Sequence, residues 1–108
     1  MKEIRIAQLE KWMAENPNEP FNKYALAIEY LHIDSEMSMK LFEDLLKNHE
    51  NYTATYFQAA QLAIEKGKIA LAKDIFEKGI VVCTFQNEEK ALKELKTAYQ
   101  NFLIEYEQ

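Results

Sequence analysis

Glycine and proline are scarce in this sequence, which has only two of each among its 108 residues. β-Sandwiches and barrels place such residues at their many turns, so the scarcity favours long helices. Two glycines also cannot supply the glycine-rich loops that bind nucleotides, or the G-x-S-x-G turn that holds a catalytic serine. The length suits one domain, and we interpret residues 1–108 as a single domain.

Residues that bind metals or act as nucleophiles are also rare. Cys83 is the only cysteine, so it has no partner for an internal disulfide, and we expect it to be buried in a helix. His32 and His49 lie near predicted helix ends, and neither has a second histidine or cysteine at the spacing of a metal site. We therefore expect no catalytic residues, no metal and no cofactor, and we interpret the protein as not an enzyme.

The sequence has neither a basic stripe nor a long hydrophobic run. Its formal net charge is −5, and it lacks the runs of lysine and arginine with which nucleic-acid binders contact phosphates. Its apolar runs are short, such as Ile80 to Cys83, whereas a bilayer span needs about 20 residues. Residues 1–5 lack the apolar segment of a signal peptide. We therefore expect a soluble, cytoplasmic protein with no nucleic-acid or membrane partner.

Hydrophobic periodicity and stop signals predict six helices and no strand. We expect five of them over residues 2–15, 21–33, 35–48, 69–84 and 87–106, and the remaining one between a cap at Asn51 or Thr53 and Gly67. Asp34 and Ser35 are the cap candidates of the third helix. Asn87, followed by two glutamates, is the start signal of the sixth helix, although neither glycine nor proline marks the break before it.

Two segments of the chain repeat each other at an offset of 33 to 34 residues. In the first helix of each segment, Leu26-Ala27-x-x-Tyr30 aligns with Ala59-Ala60-x-x-Ala63. In the second helix, Ser38-x-x-x-Phe42-x-x-Leu45 aligns with Ala72-x-x-x-Phe76-x-x-Gly79. Small residues at equivalent places allow two helices to approach closely, and the phenylalanines fill the space beyond them. The spacing therefore predicts two similar helical hairpins.

This pattern resembles the tetratricopeptide repeat, a 34-residue helical hairpin with small residues and aromatics at fixed spacings. The second segment fits best, as Tyr56-x2-Ala59-Ala60-x2-Ala63, then Gly67, then Ala72-x3-Phe76. The first segment departs more, since Lys23 stands where an aromatic is usual. The resemblance implies an all-α, right-handed α-α superhelix, in which two hairpins over residues 20–51 and 52–85 lie between an N-terminal helix over 2–16 and a capping helix over 87–107.

Several apolar side chains fall outside the core positions of this repeat. A helix that is apolar over most of its surface must bury a second face, and in tetratricopeptide repeats that face lines a concave groove that binds peptides. The resemblance therefore implies an adaptor or assembly factor that binds an apolar or amphipathic segment of another protein. The residues expected to line the groove are Phe21, Tyr24, Ile28, Phe57, Gln61 and Ile64. None of them is a cation, so we do not expect the clamp with which one subtype binds acidic tails.

The last helix leaves two alternatives open. It carries an apolar stripe at alternating spacings of three and four, formed by Leu92, Leu95, Tyr99, Phe102 and Tyr106. Part of this stripe is expected to cap the second repeat, since a terminal repeat needs a covering helix. The stripe could also fold across the groove or pair with a second copy of the chain. The alternative function is therefore a structural homodimer, formed through the last helix or the groove, with no separate client.

Overall fold

The computed structural model describes residues 1–107, and over these residues the chain forms six α-helices and no strand. In chain order the helices are α1 (Lys2–Glu15), α2 (Pro20–Tyr30), α3 (Ser35–Asn48), α4 (Ala54–Glu65), α5 (Ile69–Phe85) and α6 (Glu89–Tyr106). The fold is therefore all-α, as the sequence predicts. Across residues 1–107, no helix combines the length and hydrophobicity needed to cross a bilayer.

The chain divides into two units, and the first comprises Met1–His49. In it α2 packs against both α1 and α3. The buried apolar side chains are Leu9, Leu26, Ala27, Met39, Phe42 and Leu45. The hydroxyl of Ser38, which is fully buried, donates a 2.7 Å hydrogen bond to the carbonyl of Ala27 and so joins α3 to α2. The helices α2 and α3 form the first predicted hairpin.

The second unit begins at Glu50 and contains the second hairpin, α4 and α5, together with α6. The helix α6 packs mainly on α5 and also contacts α4. The fully or nearly fully buried apolar residues of this unit are Tyr56, Ala59, Ala60, Leu62, Ala63, Ala72, Ile75, Phe76, Cys83, Leu95 and Phe102. Cys83 is therefore a core residue, and burial raises the pKa of its thiol.

The equivalent positions of the two hairpins are equally inaccessible to solvent. Ala27 and Ala60, and Phe42 and Phe76, all have an exposed fraction of 0%. A small residue on the first helix of a hairpin lets the second helix approach, and the phenylalanine then packs beyond it without leaving a void. Each hairpin therefore has the arrangement that the offset in the sequence predicts.

The second helix is shorter than predicted. It ends at Tyr30 instead of near Ile33, because the amides of Ile33 and Asp34 both donate to the Tyr30 carbonyl, at 3.0 and 2.8 Å. Asp34 then caps α3 as expected, since its side chain accepts a 3.1 Å hydrogen bond from the Met37 amide.

The prediction that Asn87 caps the start of the last helix is wrong. Asn87 has φ 58° and lies in the turn that ends α5, where the Glu88 amide donates to the Cys83 carbonyl at 3.0 Å. Glu88 holds the cap position of α6. The turn after α4 has the same bonding pattern, with Gly67 at φ 74°. Glycine adopts this left-handed geometry most easily, and asparagine is one of the few other residues that tolerate it.

Candidate functional site

The second unit contains an open groove of about 600 Å³ between α4 and α6. Its walls carry both apolar and polar side chains, and a cavity of this size is within the range of ligand-binding sites. The residues that line it are Phe57, Gln61, Ile64, Lys93, Glu94, Thr97, Ala98, Asn101, Phe102, Glu105 and Tyr106. The groove thus brings together the three candidates predicted on the fourth helix.

The wall on α4 is formed by Phe57, Gln61 and Ile64, which follow one another at spacings of four and three residues. Such residues lie on one face of a helix. The core of the unit is packed by a different face of α4, including Tyr56 and Ala60, both with an exposed fraction of 0%. The three wall residues are consequently only half-buried and remain accessible to a ligand.

The wall on α6 is supported by a row of aromatic rings. The ring of Phe102 lies 5.5 Å from that of the buried Phe76, and the ring of Tyr106 lies 5.1 Å from Phe102. Tyr106 keeps an exposed fraction of 38% at the outer end of this row. Contacts between tilted rings add to the stability that burial alone provides. The groove is therefore bounded by side chains that are fixed from behind by the core.

The end of α6 is also tied to α5 by polar contacts. The ammonium of Lys73 donates to the Glu107 carboxylate at 2.6 Å, and the hydroxyl of Tyr99 donates to the Glu77 carboxylate at 2.6 Å. Burial, and then the hydrogen bond to Glu77, raise the pKa of Tyr99 to about 12. Both contacts hold the helix that forms the second wall in a defined position.

The charged residues of the groove all come from α6. Glu94 and Glu105 are exposed and carry negative charge along this wall, while Lys93 is the single cation among the described lining residues. Burial and the adjacent Glu105 carboxylate raise the pKa of Tyr106. The groove therefore combines apolar walls with a net negative rim.

The three candidates in the first unit lie on α2. Phe21 is exposed to 54%, whereas Tyr24 and Ile28 are half-buried. Tyr24 does not lie wholly outside the core, because its ring is 6.3 Å from that of the buried Phe42. A substitution of Tyr24 would therefore disturb packing within the hairpin as well as any surface function.

The five residues of the predicted stripe on the last helix lie in three places. Leu95 and Phe102 are buried, and the ring of Tyr99 stacks on Phe76 at 5.4 Å, so this part covers the second hairpin. Tyr106 lies in the groove, while Leu92 lines a second crevice of about 490 Å³ between α5 and α6.

Sequence reasoning missed most of the wall on α6. The missed lining residues are Lys93, Glu94, Thr97, Ala98, Asn101 and Glu105. Glu94, Asn101 and Glu105 recur at intervals of seven and four residues, which places them on one helical face beside the apolar stripe. This spacing is the feature of the sequence that could have identified the wall on α6. Among residues 1–107, no three His, Cys, Asp or Glu side chains are grouped so that they could hold a metal ion.

Two solved structures resemble this chain in fold and in sequence. The solution NMR structure of a tetratricopeptide repeat domain protein from Salinibacter ruber has a TM-score of 0.76 and 32% identity, over 81% of this chain and 89% of that one. A crystal structure of a tetratricopeptide repeat domain protein from the same organism has a TM-score of 0.74 and 32% identity, over 78% and 94%. No family model and no curated protein matches the sequence.

Proposed function

Because the chain belongs to the tetratricopeptide repeat family, whose fold is in general a protein-interaction module, we propose that it is an adaptor or assembly factor. In this proposal it binds an apolar or amphipathic segment of another protein in the groove between α4 and α6. The observation that carries the proposal is the convergence of Phe57, Ile64 and Tyr106 on one open groove of about 600 Å³.

The burial of these side chains supports a binding role. Phe57 and Ile64 are only half-buried and Tyr106 is exposed, so a bound segment would remove further apolar surface from water. Burial of a large apolar side chain contributes roughly 1.5–3 kcal/mol, and part of that gain is still available at each of these positions. The rigid support behind Phe102 and Tyr106 reduces the entropy that binding must remove.

Three further parts of the proposal rest on the family pattern. Phe21, Tyr24 and Ile28 are proposed as a partner-facing surface of the first unit. The protein is proposed to act by binding alone, without catalysis or a cofactor, and to work in the cytoplasm. Each of these statements is independent of the groove between α4 and α6.

The test uses a synthetic amphipathic peptide of about 18 residues, with leucine and phenylalanine on one helical face and glutamine on the other. We expect Phe57→Ala/Ile64→Ala to weaken binding of this peptide by tenfold or more, as measured by fluorescence anisotropy, because both anchors of the α4 wall are lost. The matched control is Val81→Ala/Phe85→Ala, since these residues are exposed to 53% and 81% on α5 and do not line the groove.

The control variant should bind the peptide as the unmodified protein does. Circular dichroism of each variant would show whether its helices are intact. If the peptide fails to bind the unmodified protein, or if both double variants bind it equally well, the groove is not the binding site.

The homodimer through α6 is the weaker proposal. Two residues of the predicted contact stripe, Leu95 and Phe102, are buried within the unit and offer little surface to a second copy. Light scattering over a range of concentrations would decide, because a constant mass near 12.7 kDa would exclude the dimer.

A further inference from the structure

We propose that the segment bound in the groove is an amphipathic helix whose apolar face lies between two basic residues about 11 positions apart. This inference rests on the proposed function and specifies the chemistry of the partner. It follows from the arrangement of charge along α6 and from the apolar residues that lie between the charges.

The two acids of the groove are separated by three helical turns. Glu94 and Glu105 are 11 residues apart on α6, and both are exposed lining residues of the groove. At a rise of 1.5 Å per residue this spacing corresponds to about 16 Å, and 11 residues return to nearly the same side of a helix. The groove therefore presents a negative charge near each end of one wall.

Lys93, the single cation among the described lining residues, leaves the groove with a net charge of −1. Lys93 lines the groove but also lines the crevice between α5 and α6, which contains Lys96 as well. Lys93 thus lies at the border between the two surfaces. Glu105 is three turns away from Lys93. At that distance solvent and salt screen most of the attraction between the two charges.

The part of the groove between the acids is apolar. Phe57 and Ile64 are seven residues apart on α4, which corresponds to two turns or about 10 Å, and Phe102 faces them from α6. A helix satisfies its own backbone hydrogen bonds, so it can lie against apolar walls without leaving amides and carbonyls unpaired. An apolar helical face of about two turns, with a lysine or arginine beyond each end, fits this surface.

The experiment compares four peptides of about 18 residues with the same leucine and phenylalanine positions. The neutral peptide has glutamine at all polar positions. The framed peptide has two lysines 11 positions apart beyond the ends of the apolar face, and the acidic peptide has glutamates at those places. The clustered peptide has the same two lysines within one turn of each other at the centre of the polar face.

We expect the framed peptide to bind about tenfold more tightly than the acidic peptide at about 50 mM salt, since each of two rim contacts changes from attractive to repulsive. The neutral peptide should lie between them, and the clustered peptide should bind no better than the neutral one. At about 500 mM salt the differences should nearly vanish, because the charges are exposed.

A matched pair of variants distinguishes the effect of the two groove glutamates from the effect of the overall charge of the protein. Glu94→Lys/Glu105→Lys should reverse the preference, so that the acidic peptide binds more tightly than the framed one. Glu15→Lys/Glu43→Lys makes the same change in net charge at exposed residues of the first unit and should leave the order of affinities unchanged. Thermal unfolding followed by circular dichroism would show that both variants are folded.

The outcomes distinguish the two levels of the proposal. Equal binding of the framed, neutral and acidic peptides, or an equal effect of both charge variants, would overturn the charge assignment while leaving the groove as a binding site. Equal binding of the framed and clustered peptides would overturn the spacing. Failure of every peptide to bind in a groove-dependent manner would overturn both the inference and the proposed function.

Discussion

The two hairpins, α2 with α3 and α4 with α5, have different residues at two equivalent positions of their packed helices. The aligned pairs are Lys23 with Leu45 in the first hairpin and Tyr56 with Gly79 in the second. A Cβ atom on Gly79 would lie 2.7 Å from Cβ and 2.8 Å from Cγ of Tyr56, which is too close for any other residue. The large ring of the second hairpin thus requires a glycine opposite it.

In the first hairpin the larger buried side chain is on the second helix instead of the first. Leu45 is fully buried where the second hairpin has a glycine, and Lys23 is directed to the edge, where its ammonium pairs with the carboxylate of Asp44. The comparison shows that the two repeats have different residue types at equivalent positions of their hairpins. It also shows that the second hairpin depends on an aromatic ring where the first has an ion pair.

The largest effect on stability is expected from replacing Gly79, the smaller member of the pair in the second hairpin. Gly79→Leu gives the second hairpin the residue that the first has at this place, but without removing the Tyr56 ring. We expect a loss of about 3 kcal/mol or more in the free energy of unfolding, because the Cβ alone already overlaps backbone-proximal atoms of Tyr56 that cannot move aside. Urea unfolding followed by circular dichroism measures this loss.

The control for this prediction is the triple variant Tyr56→Lys/Lys78→Asp/Gly79→Leu, which builds into the second hairpin the pair of the first and also the carboxylate partner of its lysine, because Lys78 aligns with Asp44. It should recover more than half of the loss, since the two positions are in contact and their effects cannot be additive. Purely additive losses would show that the two pairs are not interchangeable.

An intermediate effect is expected from the ionisation of Tyr56. This side chain is fully buried and donates a 2.8 Å hydrogen bond to the Glu50 carbonyl, and burial raises its pKa to about 12. Since the folded pKa lies above the unfolded value of about 10, the stabilising contribution is complete below pH 10 and is lost as the pH rises towards 12. Stability should therefore fall over this range.

The variant Tyr56→Phe isolates this contribution. It should lose about 1 kcal/mol at pH 7, because the hydrogen bond is gone, and its stability should fall less steeply between pH 10 and 12. Part of the fall should persist, since the pKa of Tyr99 is also raised to about 12. An unchanged slope in the variant would show that Tyr56 ionises without unfolding the hairpin.

The two hairpins also show how far the sequence alone can lead. Hydrophobic periodicity and stop signals predict the six helices, and the offset that aligns Phe42 with Phe76 predicts two similar cores. The alignment of Leu45 with Gly79 is visible as well, but its reason is the distance to Tyr56, which depends on how two helices approach. The local pattern therefore predicts the hairpins, but it does not predict that a glycine must lie opposite the Tyr56 ring.

The groove and one turn were less predictable for related reasons. Asn87 is equally suited to a helix cap and to a left-handed turn, and only the hydrogen bonds at the end of α5 decide between the two. The second wall of the groove comes from α6, and a face such as that of Glu94 and Glu105 looks solvent-exposed until α4 is placed beside it. Spacing within one helix carries no information about the neighbouring wall.

The smallest effect is expected at the ion pair of the first hairpin. The side chains of Lys23 and Asp44 are exposed to 17% and 37%, so water screens much of their attraction. The hydrogen bond from Lys23 holds the pKa of Asp44 below its usual value, which means that the pair stabilises the fold at neutral pH and that this contribution is lost as the pH falls through the lowered pKa. Asp44→Asn should therefore cost about 0.5–1 kcal/mol at pH 7.

The pH dependence separates this ion pair from a packing effect. Urea midpoints of the protein and of Asp44→Asn should converge in acid, where the native carboxylate is protonated and no longer attracts Lys23. A loss that exceeds about 2 kcal/mol, or one that persists unchanged in acid, would mean that Asp44 contributes through packing or through its contact with Asn48, at 2.7 Å, instead of through charge. In that case the first hairpin would depend on its edge residues as strongly as the second depends on the ring of Tyr56.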